Sequence, residues 1–556
     1  MSALVPSLDR LRGYERSWLR GDLVAGLTAA AVVIPKAMAY ATIAGLPVET
    51  GLYTAFVPMV IYALFGTSTP LSVSTTTTIA ILTGSALGTA APGGGAELLT
   101  AAATLTVLVG VLLLLASLLR LGFVANFISD PVLTGFKSGI AVVIVVDQIP
   151  KLLGVHFAKG TFLQNVASIT QHLPETSGAT LVLAALMFAL ILGLEHFAPR
   201  APAPLLAVAI GIAVSALLPG ARVETVGTIP RGLPALVLPQ LSLAVQMWPA
   251  AAGIALMSFT ETIAAGRAFH VAGEPRPVAN RELLALGLAN AGGGFFGAMP
   301  AGGGTSQTAV NRRAGAHTQL AELVTAATAL ATLLLLAPVI AFMPQATLAA
   351  VVVAYSIELI QPEEFRAIRR VRGTEFLWAI VAFAGVVVLG TLKGILIAVI
   401  VSLLALAQQT NNPPVYEVGR KPGTNVFRRR SVDQPDDEVF PGLLLVRVEG
   451  RVYFANAQRV ADQIRPLAEE ARPKVVVLDC SAVTDFEYTA LKMLDEAEDR
   501  LRGQGITLWL AALNPEVLEM VHRSPLGQKL GRERMCFNLE LAVARYAALG
   551  SAAPPA

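Results

Sequence analysis

Long runs of apolar residues fill the first three quarters of the chain and leave no continuous polar face. A helix that crosses a hydrocarbon core of about 30 Å needs roughly 20 such residues. The pattern predicts fourteen membrane-spanning segments in residues 1–410, some of them short. They cover residues 22–41, 51–66, 75–90, 98–119, 122–146, 179–198, 203–219, 248–265, 282–297, 304–316, 318–343, 346–360, 374–390 and 393–408.

Beyond residue 410 the apolar runs stop, and short strand patterns alternate with helix patterns. This alternation with short connections is typical of a small α/β layer. We therefore predict four parts. They are an N-terminal segment at 1–21, a transmembrane domain at 22–410, a linker at 411–440 and a polar C-terminal domain at 441–556.

The distribution of charge supports this division. Residues 1–410 contain 22 Lys and Arg and 18 Asp and Glu, whereas residues 411–556 contain 19 and 20. The first part is thus about 10% charged and the second about 27%, close to the value of about 25% for soluble domains. A net charge of +3 provides no basic field for a nucleic acid. The chain is therefore expected to be a lipid-bilayer protein with no nucleic-acid partner.

No metal, cofactor or enzymatic motif stands out. Cys480 and Cys536 are isolated and show neither metal-ligand nor disulfide-framework spacing, which predicts free thiols in a reducing compartment. The six histidines are scattered without ligand spacing. The C-terminal part has no phosphate loop, nucleophile elbow or pair of catalytic carboxylates. We expect a protein that is not an enzyme.

Arginine placement predicts the orientation. With an even number of crossings both termini lie on one side, together with a cluster at Arg366, Arg369, Arg370 and Arg372. Because positive residues concentrate in cytoplasmic loops, both termini are expected to be cytoplasmic.

Two of the predicted segments are interrupted. The third begins with four threonines at 75–78, which favour extended backbone, and Pro300 and Gly302-Gly303-Gly304 lie at the start of the tenth. The fourteen segments divide into two groups of seven, and the third and tenth segments hold the same place in each group. Interrupted segments at matching places indicate a transporter site between inverted repeats. Facing helix N-termini bind anions, and hydroxyl donors would come from Thr75, Thr76, Thr305 and Ser306. The alternative is that the small residues only allow close helix packing.

Charges inside membrane segments are further candidates for function. Glu261 lies within the eighth segment, where low dielectric favours a protonated carboxyl, so it is a candidate proton carrier. The alternative is a structural ion pair. Lys36, beside Pro35 in the first segment, could pair with Glu261, contact the anion or extend to the membrane interface.

Several motifs together resemble the SulP sulfate-permease family of anion transporters. They are 34–41 (Ile-Pro-Lys-Ala-Met-Ala-Tyr-Ala), 44–47 (Ala-Gly-Leu-Pro), 51–53 (Gly-Leu-Tyr), 62–68 (Tyr-Ala-Leu-Phe-Gly-Thr-Ser), 129–136 (Ser-Asp-Pro-Val-Leu-Thr-Gly-Phe), 280–283 (Asn-Arg-Glu-Leu), Asn290, and Pro300 together with 305–311 (Thr-Ser-Gln-Thr-Ala-Val-Asn). The resemblance implies a seven-plus-seven inverted repeat in which a core domain slides against a gate domain. It also implies a homodimer in a bacterial inner membrane.

The resemblance also bears on substrate and coupling. Tyr40 and Gln307 join the expected anion site, but many relatives have an arginine where this chain has Gln307, so a fixed positive charge is missing. A sodium-coupled branch has an Asp followed four residues later by a Thr, where this chain has Glu261 and Ala265. The lost oxygen ligands disfavour sodium, and the acid favours proton coupling.

The C-terminal part resembles the STAS domain of sulfate transporters and anti-sigma antagonists. Val475 through Thr484 carries this likeness. The resemblance places Thr489 at the hydroxyl that anti-sigma antagonists phosphorylate, although Glu487-Tyr488 and Ala490 depart from the Asp-Ser-Ser-Gly pattern around it. Regulation through Thr489, or through a cytoplasmic partner of this domain, is therefore an expectation.

We expect a secondary active transporter of a small anion of the sulfate, bicarbonate or dicarboxylate class, coupled to protons through Glu261. An anion exchanger or an uncoupled anion channel of the same fold remains the main alternative. A membrane-tethered regulator acting through the STAS domain and a nucleobase carrier are the others. The absence of a carboxamide pair that could bind a base disfavours the carrier.

Overall fold

A computed structural model describes residues 14–91, 95–126, 129–157, 160–198, 201–217, 223–227, 229, 232–271 and 274–551. The ends of the predicted N-terminal segment and C-terminal domain, residues 1–13 and 552–556, lie outside the described residues. The chain forms two compact units, Met1–Leu403 and Leu404–Ala556. Each unit is built around its own apolar core.

The first unit is helical, and a described helix overlaps each of the fourteen predicted segments. Within the described residues, seven helices are long and apolar enough to cross a membrane, and shorter apolar helices accompany them. The helices are α1 (Leu19–Ile43), α2 (Val48–Phe65), α3 (Thr77–Ala90), α4 (Gly95–Leu118), α5 (Asp130–Leu153), α6 (Phe162–His172), α7 (Gly178–Phe197), α8 (Ala203–Leu217), α9 (Leu241–Ala268), α10 (Ala279–Phe295), α11 (Thr305–Arg313), α12 (Leu320–Ala331), α13 (Ala337–Ile340), α14 (Gln345–Ile357), α15 (Pro362–Val371), α16 (Gly373–Leu389) and α17 (Thr391–Thr410).

Two of these helices, α6 and α15, do not belong to any predicted segment. Helix α15 contains Arg366, Arg369 and Arg370 of the arginine cluster, ends just before Arg372, and has no buried residue. Its first turn carries Glu363 and Glu364 and its last turn carries Arg369 and Arg370. This placement complements the helix dipole, so the arginine cluster lies on a short polar helix between two predicted segments.

The two interrupted segments meet at a two-stranded sheet. Strand β1 (Val73–Ser74) pairs antiparallel with β2 (Gly302–Gly303), with Val73 opposite Gly303 and Ser74 opposite Gly302. Helix α3 starts three residues after β1, and α11 starts two residues after β2. Both helices therefore begin inside the apolar unit, as the glycine, proline and threonine pattern predicts.

Side chains from neighbouring helices satisfy the extended backbone around β2. The Asn290 amide group donates to the carbonyl of Ala301 and its oxygen accepts from the amide of the same residue, at 3.1 and 2.8 Å. Thr262 Oγ1 accepts from Gly303 N at 2.7 Å. Non-helical backbone at membrane depth is tolerated only when its polar groups find such partners.

The second unit is a six-stranded sheet covered by helices. The elements are β3 (Val415–Arg420), β4 (Phe427–Arg429), β5 (Leu443–Val452), α18 (Ala457–Ala471), β6 (Val475–Phe486), α19 (Tyr488–Gly503), β7 (Thr507–Ala511), α20 (Pro515–Arg523), α21 (Pro525–Leu530), β8 (Met535–Cys536) and α22 (Leu539–Ser551). The strands lie in the order β4-β3-β5-β6-β7-β8. Pairing between β5, β6, β7 and β8 is parallel, and β3 joins the edge of β5 antiparallel.

The expectation that residues 411–440 form a solvated linker is wrong for the sheet-forming part. Strands β3 and β4 lie there, and β3 extends the sheet by burying Val418. The acidic run follows β4 in the sequence and folds back against the basic run at the end of that strand. Arg428 binds both carboxylate oxygens of Asp437, with Nη2 to Oδ1 at 2.8 Å and Nε to Oδ2 at 2.9 Å. The opposite charges therefore pair within a folded element.

Candidate functional site

One cavity of about 550 Å³ contains every residue that the sequence predicts for the anion site. Its wall includes Lys36 and Tyr40 from α1, and the starts of α3 and α11. Glu261 of α9 lies on the same wall. The predicted residues found together there are Lys36, Tyr40, Thr75, Thr76, Glu261, Thr305, Ser306 and Gln307.

Thr76 ties the start of α3 to Glu261. It is the N-cap residue of α3, where its hydroxyl accepts from Ile79 N at 3.3 Å. The same hydroxyl donates to Glu261 Oε2 at 2.8 Å. The carboxyl group is buried, at 7% exposure, and the described residues place no cation within 4 Å of it. A structural ion pair at Glu261 would need a cation beside the carboxylate, and the described residues supply none.

Helix α11 presents its open end to the cavity. Thr305 and Ser306 are its first two residues, and both are exposed at the cavity wall. The cap residue is Gly304, which has no side chain to occupy the free N–H groups of the first turn. The start of α11 therefore offers unoccupied donors and the positive end of the helix dipole.

Lys36 contacts the start of α11 rather than Glu261. Its Nζ donates to Ser306 Oγ at 3.0 Å and lies 3.5 Å from the ring centre of Tyr355. Its side chain is buried, so it does not extend to a membrane interface. Among the described residues no carboxylate lies within 4 Å of Nζ. Of the three sequence-based alternatives, contact with an anion in the cavity fits this geometry.

Gln307 lies on the wall but its carboxamide is engaged by β1. Its Nε2 donates to Ser72 O at 2.9 Å, and its Oε1 accepts from Ser74 Oγ at 3.0 Å. These bonds join the start of α11 to the strand that precedes α3. Gln307 therefore holds the two interrupted segments together as well as lining the cavity.

The hydroxyl groups of the two remaining predicted residues, Tyr40 and Thr75, differ in their hydrogen bonding. Tyr40 accepts a hydrogen bond from Thr77 Oγ1 at 3.0 Å, which fixes its ring beside α3. The buried hydroxyl of Thr75 has no hydrogen-bond partner among the described residues. Thr75 is therefore a wall residue with an unused polar group.

Sequence reasoning missed part of the wall. Tyr355, near the end of α14, lies in contact with Lys36, and Glu358, directly after α14, lines the same cavity. Asp130 and Lys137 of α5 also line it. Glu358 is a charged residue near the end of an apolar segment, which is a visible feature of the sequence. Only the tertiary structure shows that it shares a cavity with Lys36.

A second buried carboxylate lies outside the cavity and stabilises the interrupted segments. It was not predicted from the sequence. Glu322 of α12 is fully buried, and its Oε1 accepts from Asn311 Nδ2 at 3.1 Å. Asn311 donates as well to Pro70 O, at 3.1 Å. Glu322 is not part of the cavity wall, and the contact indicates a role in holding α11 to the chain that leads into β1.

In the second unit, Thr489 is the second residue of α19, directly after the end of β6. It is half-buried, whereas its neighbour Tyr488 is exposed. The structure thus places the residue at a helix start, where a phosphate group would meet free N–H groups.

The sequence matches the sulfate permease family over residues 19–382 and the STAS domain over residues 434–542. The chain belongs to the sulfate permease family. A protein of Mycobacterium tuberculosis named "Probable sulfate transporter" is 34% identical over 549 residues, which cover 97% of this chain and 98% of the relative. "Sulfate transporter 4.1, chloroplastic" of Arabidopsis thaliana is 31% identical over 96% of this chain and 81% of its own length.

Solved structures show the same fold. Murine Slc26a9, described as an anion transporter in the inward-facing state, superposes with a TM-score of 0.91 at 22% identity, over 98% of this chain and 94% of that chain. The transmembrane domain of the cyanobacterial bicarbonate transporter BicA gives 0.61 at 24% identity, over 70% and 98%. The predicted fold class, a polytopic helical membrane protein with a small α/β STAS domain, is confirmed.

The names of the relatives indicate whether members of the family are enzymes. The curated relatives within the sulfate permease family are named as transporters, not as enzymes. This agrees with the expectation, drawn from the missing catalytic motifs, that the chain is not an enzyme.

Proposed function

We propose that this chain is a secondary active transporter that carries a small anion together with a proton. The observation that carries the proposal is the cavity in which two helix starts, Lys36 and Glu261 converge. Support also comes from the relatives, which are named as sulfate transporters, and from BicA, which is described as a bicarbonate transporter.

The proposed anion lies between the starts of α3 and α11. Each helix start contributes roughly half a positive charge and free N–H donors, and Lys36 adds a full charge held in place by Ser306 and Tyr355. An oxyanion accepts several hydrogen bonds at once, so the hydroxyls of Thr305 and Ser306 suit the sulfate, bicarbonate or carboxylate class.

Glu261 supplies the coupling. Its carboxyl is close enough to accept a hydrogen bond from Thr76, the cap of α3. A negative charge at this point repels an anion at the start of the same helix, whereas a protonated Glu261 does not. Proton and anion therefore favour each other's binding, and this linkage is reciprocal.

The coupling is tested by Glu261→Gln in proteoliposomes with defined lipid and an imposed pH gradient. Glutamine keeps the size of the side chain and an oxygen for Thr76 but cannot exchange a proton. The uptake of radiolabelled sulfate, bicarbonate or fumarate is expected to lose its response to the gradient. Glu97→Gln, at an exposed carboxylate in the first turn of α4, serves as the matched control and should respond normally.

An unchanged response of Glu261→Gln to the pH gradient would refute proton coupling through this residue. The alternatives are separated by the contents of the vesicle. An exchanger requires anion on the opposite side, whereas a symporter does not. A channel conducts the anion only down its own electrochemical gradient and does not respond to the proton gradient. Uptake that persists after removal of residues 411–556 would exclude a function that resides only in the STAS domain.

The organisation of the transporter completes the proposal. We place it in a bacterial inner membrane as a homodimer with both termini in the cytoplasm. The STAS domain would then be available to a cytoplasmic regulator or to modification at Thr489. Reporter fusions at the two termini and cross-linking in native membranes test the orientation and the dimer.

A further inference from the structure

The STAS domain contains an apolar cleft that the proposed transport function does not use. Its volume is about 600 Å³, which lies within the range of sites that bind small organic ligands. Helices α18 and α19 form its sides, and the buried face of β5, β6 and β7 forms its floor, including Val448, Val476 and Leu508.

Small side chains on both helices keep the cleft open. Where two helices pack on one sheet face, large apolar residues normally fill the space between them. Here five of the thirteen helix positions that line the cleft are alanine. They are Ala457, Ala461 and Ala468 on α18 and Ala490 and Ala497 on α19. The larger residues Ile464, Met493 and Leu494 line the cleft but remain only partly buried.

The cleft is long and has a polar end. Its lining follows α18 from Ala457 to Arg472, and a helix of 15 residues is roughly 22 Å long. Charged residues among the lining are three arginines and one carboxylate: Arg465, Arg472, Arg500 and Glu469. Arg472 follows the end of α18 and Arg500 lies in the last turn of α19, so both lie where the helices end.

Two of these arginines are available to a ligand. Arg465 pairs with Asp462 at 3.3 Å. The guanidinium groups of Arg472 and Arg500 have neither an ion-pair nor a side-chain hydrogen-bond partner among the described residues. Arg472 also has a left-handed backbone, with φ of 41° and ψ of 54°. Such a conformation is unfavourable for a residue other than glycine or asparagine and often marks a functional position.

We propose that this cleft binds a long-chain fatty acid, with its hydrocarbon chain between α18 and α19 and its carboxylate at Arg472 and Arg500. A single extended chain matches a narrow groove of this length, and burial of each methylene group is favourable. Guanidinium groups bind carboxylates in a planar, charge-assisted arrangement. The excess of unpaired positive charge at one end selects an anionic head group.

The test is photolabelling of the full-length protein in lipid nanodiscs with a palmitic-acid analogue that carries a mid-chain diazirine. Peptide mapping is expected to find the label on residues 457–508. The matched long-chain alcohol should label the cleft at least about tenfold less, because a hydrogen bond to a charged group contributes about that factor. Free palmitic acid should compete for the site.

Three variants separate binding from folding. Arg472→Gly removes the guanidinium but suits the left-handed backbone, so labelling should fall about tenfold while the melting temperature stays the same or rises. Ala461→Trp fills the groove and should also abolish labelling. Arg532→Gln, at an exposed arginine outside the cleft lining, should label like the unmodified protein.

Two results would overturn the proposal. One is equal labelling of the cleft by the acid and the alcohol, or by Arg472→Gly and the unmodified protein. The other is label confined to residues 14–410, or displacement only by diacyl phospholipid, which would mean that the membrane and not a free fatty acid supplies the ligand. Neither result would bear on anion uptake by the first unit.

Discussion

The hydroxyl of Thr76 donates a hydrogen bond to Glu261 over 2.8 Å while accepting one from Ile79 N at the start of α3. One oxygen atom therefore connects the proposed proton carrier with the helix end that we propose binds the anion. The two residues are 185 positions apart in the sequence. Their contact gives a short physical route by which the charge on Glu261 affects anion binding.

The first prediction concerns this contact. Thr76→Val has nearly the same shape but removes both the cap and the hydrogen bond to Glu261, and loss of a helix cap costs about 1 kcal/mol. We expect the initial rate of proton-driven uptake to fall at least about tenfold. Thr76→Ser restores the hydroxyl and should keep most of the rate. Equal rates for the valine and serine variants would show that the hydroxyl has no role.

The second prediction concerns the ring of Tyr355, which lies 3.5 Å from Lys36 Nζ. A cation held against an aromatic face gains about 2 kcal/mol when it is shielded from water. Tyr355→Leu removes this support, so Lys36 is held less firmly at Ser306 and the KM for the anion should rise roughly tenfold. Tyr355→Phe keeps the aromatic face and should leave KM nearly unchanged. Uptake measured over a range of anion concentrations in proteoliposomes gives KM for both variants. A large rise in KM in Tyr355→Phe would instead assign the effect to the hydroxyl.

The sequence predicts the interrupted segments well because their signals are local. Glycine, proline and a threonine run cannot continue a lipid-facing helix, and a carboxylate such as Glu261 is rare inside one. The positions of β1, β2 and the helix starts follow directly from these patterns. The sequence leaves three roles open for Lys36, and only the structure supplies its partner in the tenth segment, Ser306.

The missed features depend on distant parts of the chain. Glu322 lies near the start of an apolar segment, where a charge is unremarkable, and only the tertiary structure shows that it is buried and bound to Asn311. The hairpin of β3 and β4 looks like a solvated linker because its charges are dense. Those charges find opposite partners, as in the pair of Arg428 and Asp437, only once the hairpin joins the sheet.

The third prediction concerns Cys480, which is fully buried in β6. Burial raises the pKa of its thiol, with a smaller contribution from the neighbouring charge of Asp479. Because the thiolate is the reactive form, iodoacetamide at pH 8 should leave Cys480 unmodified in the folded protein and label it after denaturation in guanidinium. Mass spectrometry of the peptide reads both states. Rapid labelling without denaturant would show that the central strand opens readily.

The fourth prediction concerns the close approach of β2 to α9. A methyl group at Gly303 would lie 2.8 Å from the backbone Cα of Thr262, closer than packed carbons tolerate, and neither strand nor helix can move without breaking the pairing with β1. Gly303→Ala should therefore lower the free energy of unfolding by about 1–3 kcal/mol, as overpacking does, and abolish uptake.

Gly88→Ala is the matched control, because no heavy atom lies within 4 Å of a methyl group at that position in α3. Alanine there should stabilise the helix by about 0.5–1 kcal/mol and leave uptake intact. Thermal melting in detergent and uptake assays test the pair together, and a Gly303→Ala protein that melts and transports normally would contradict the close packing on which the proposed site depends.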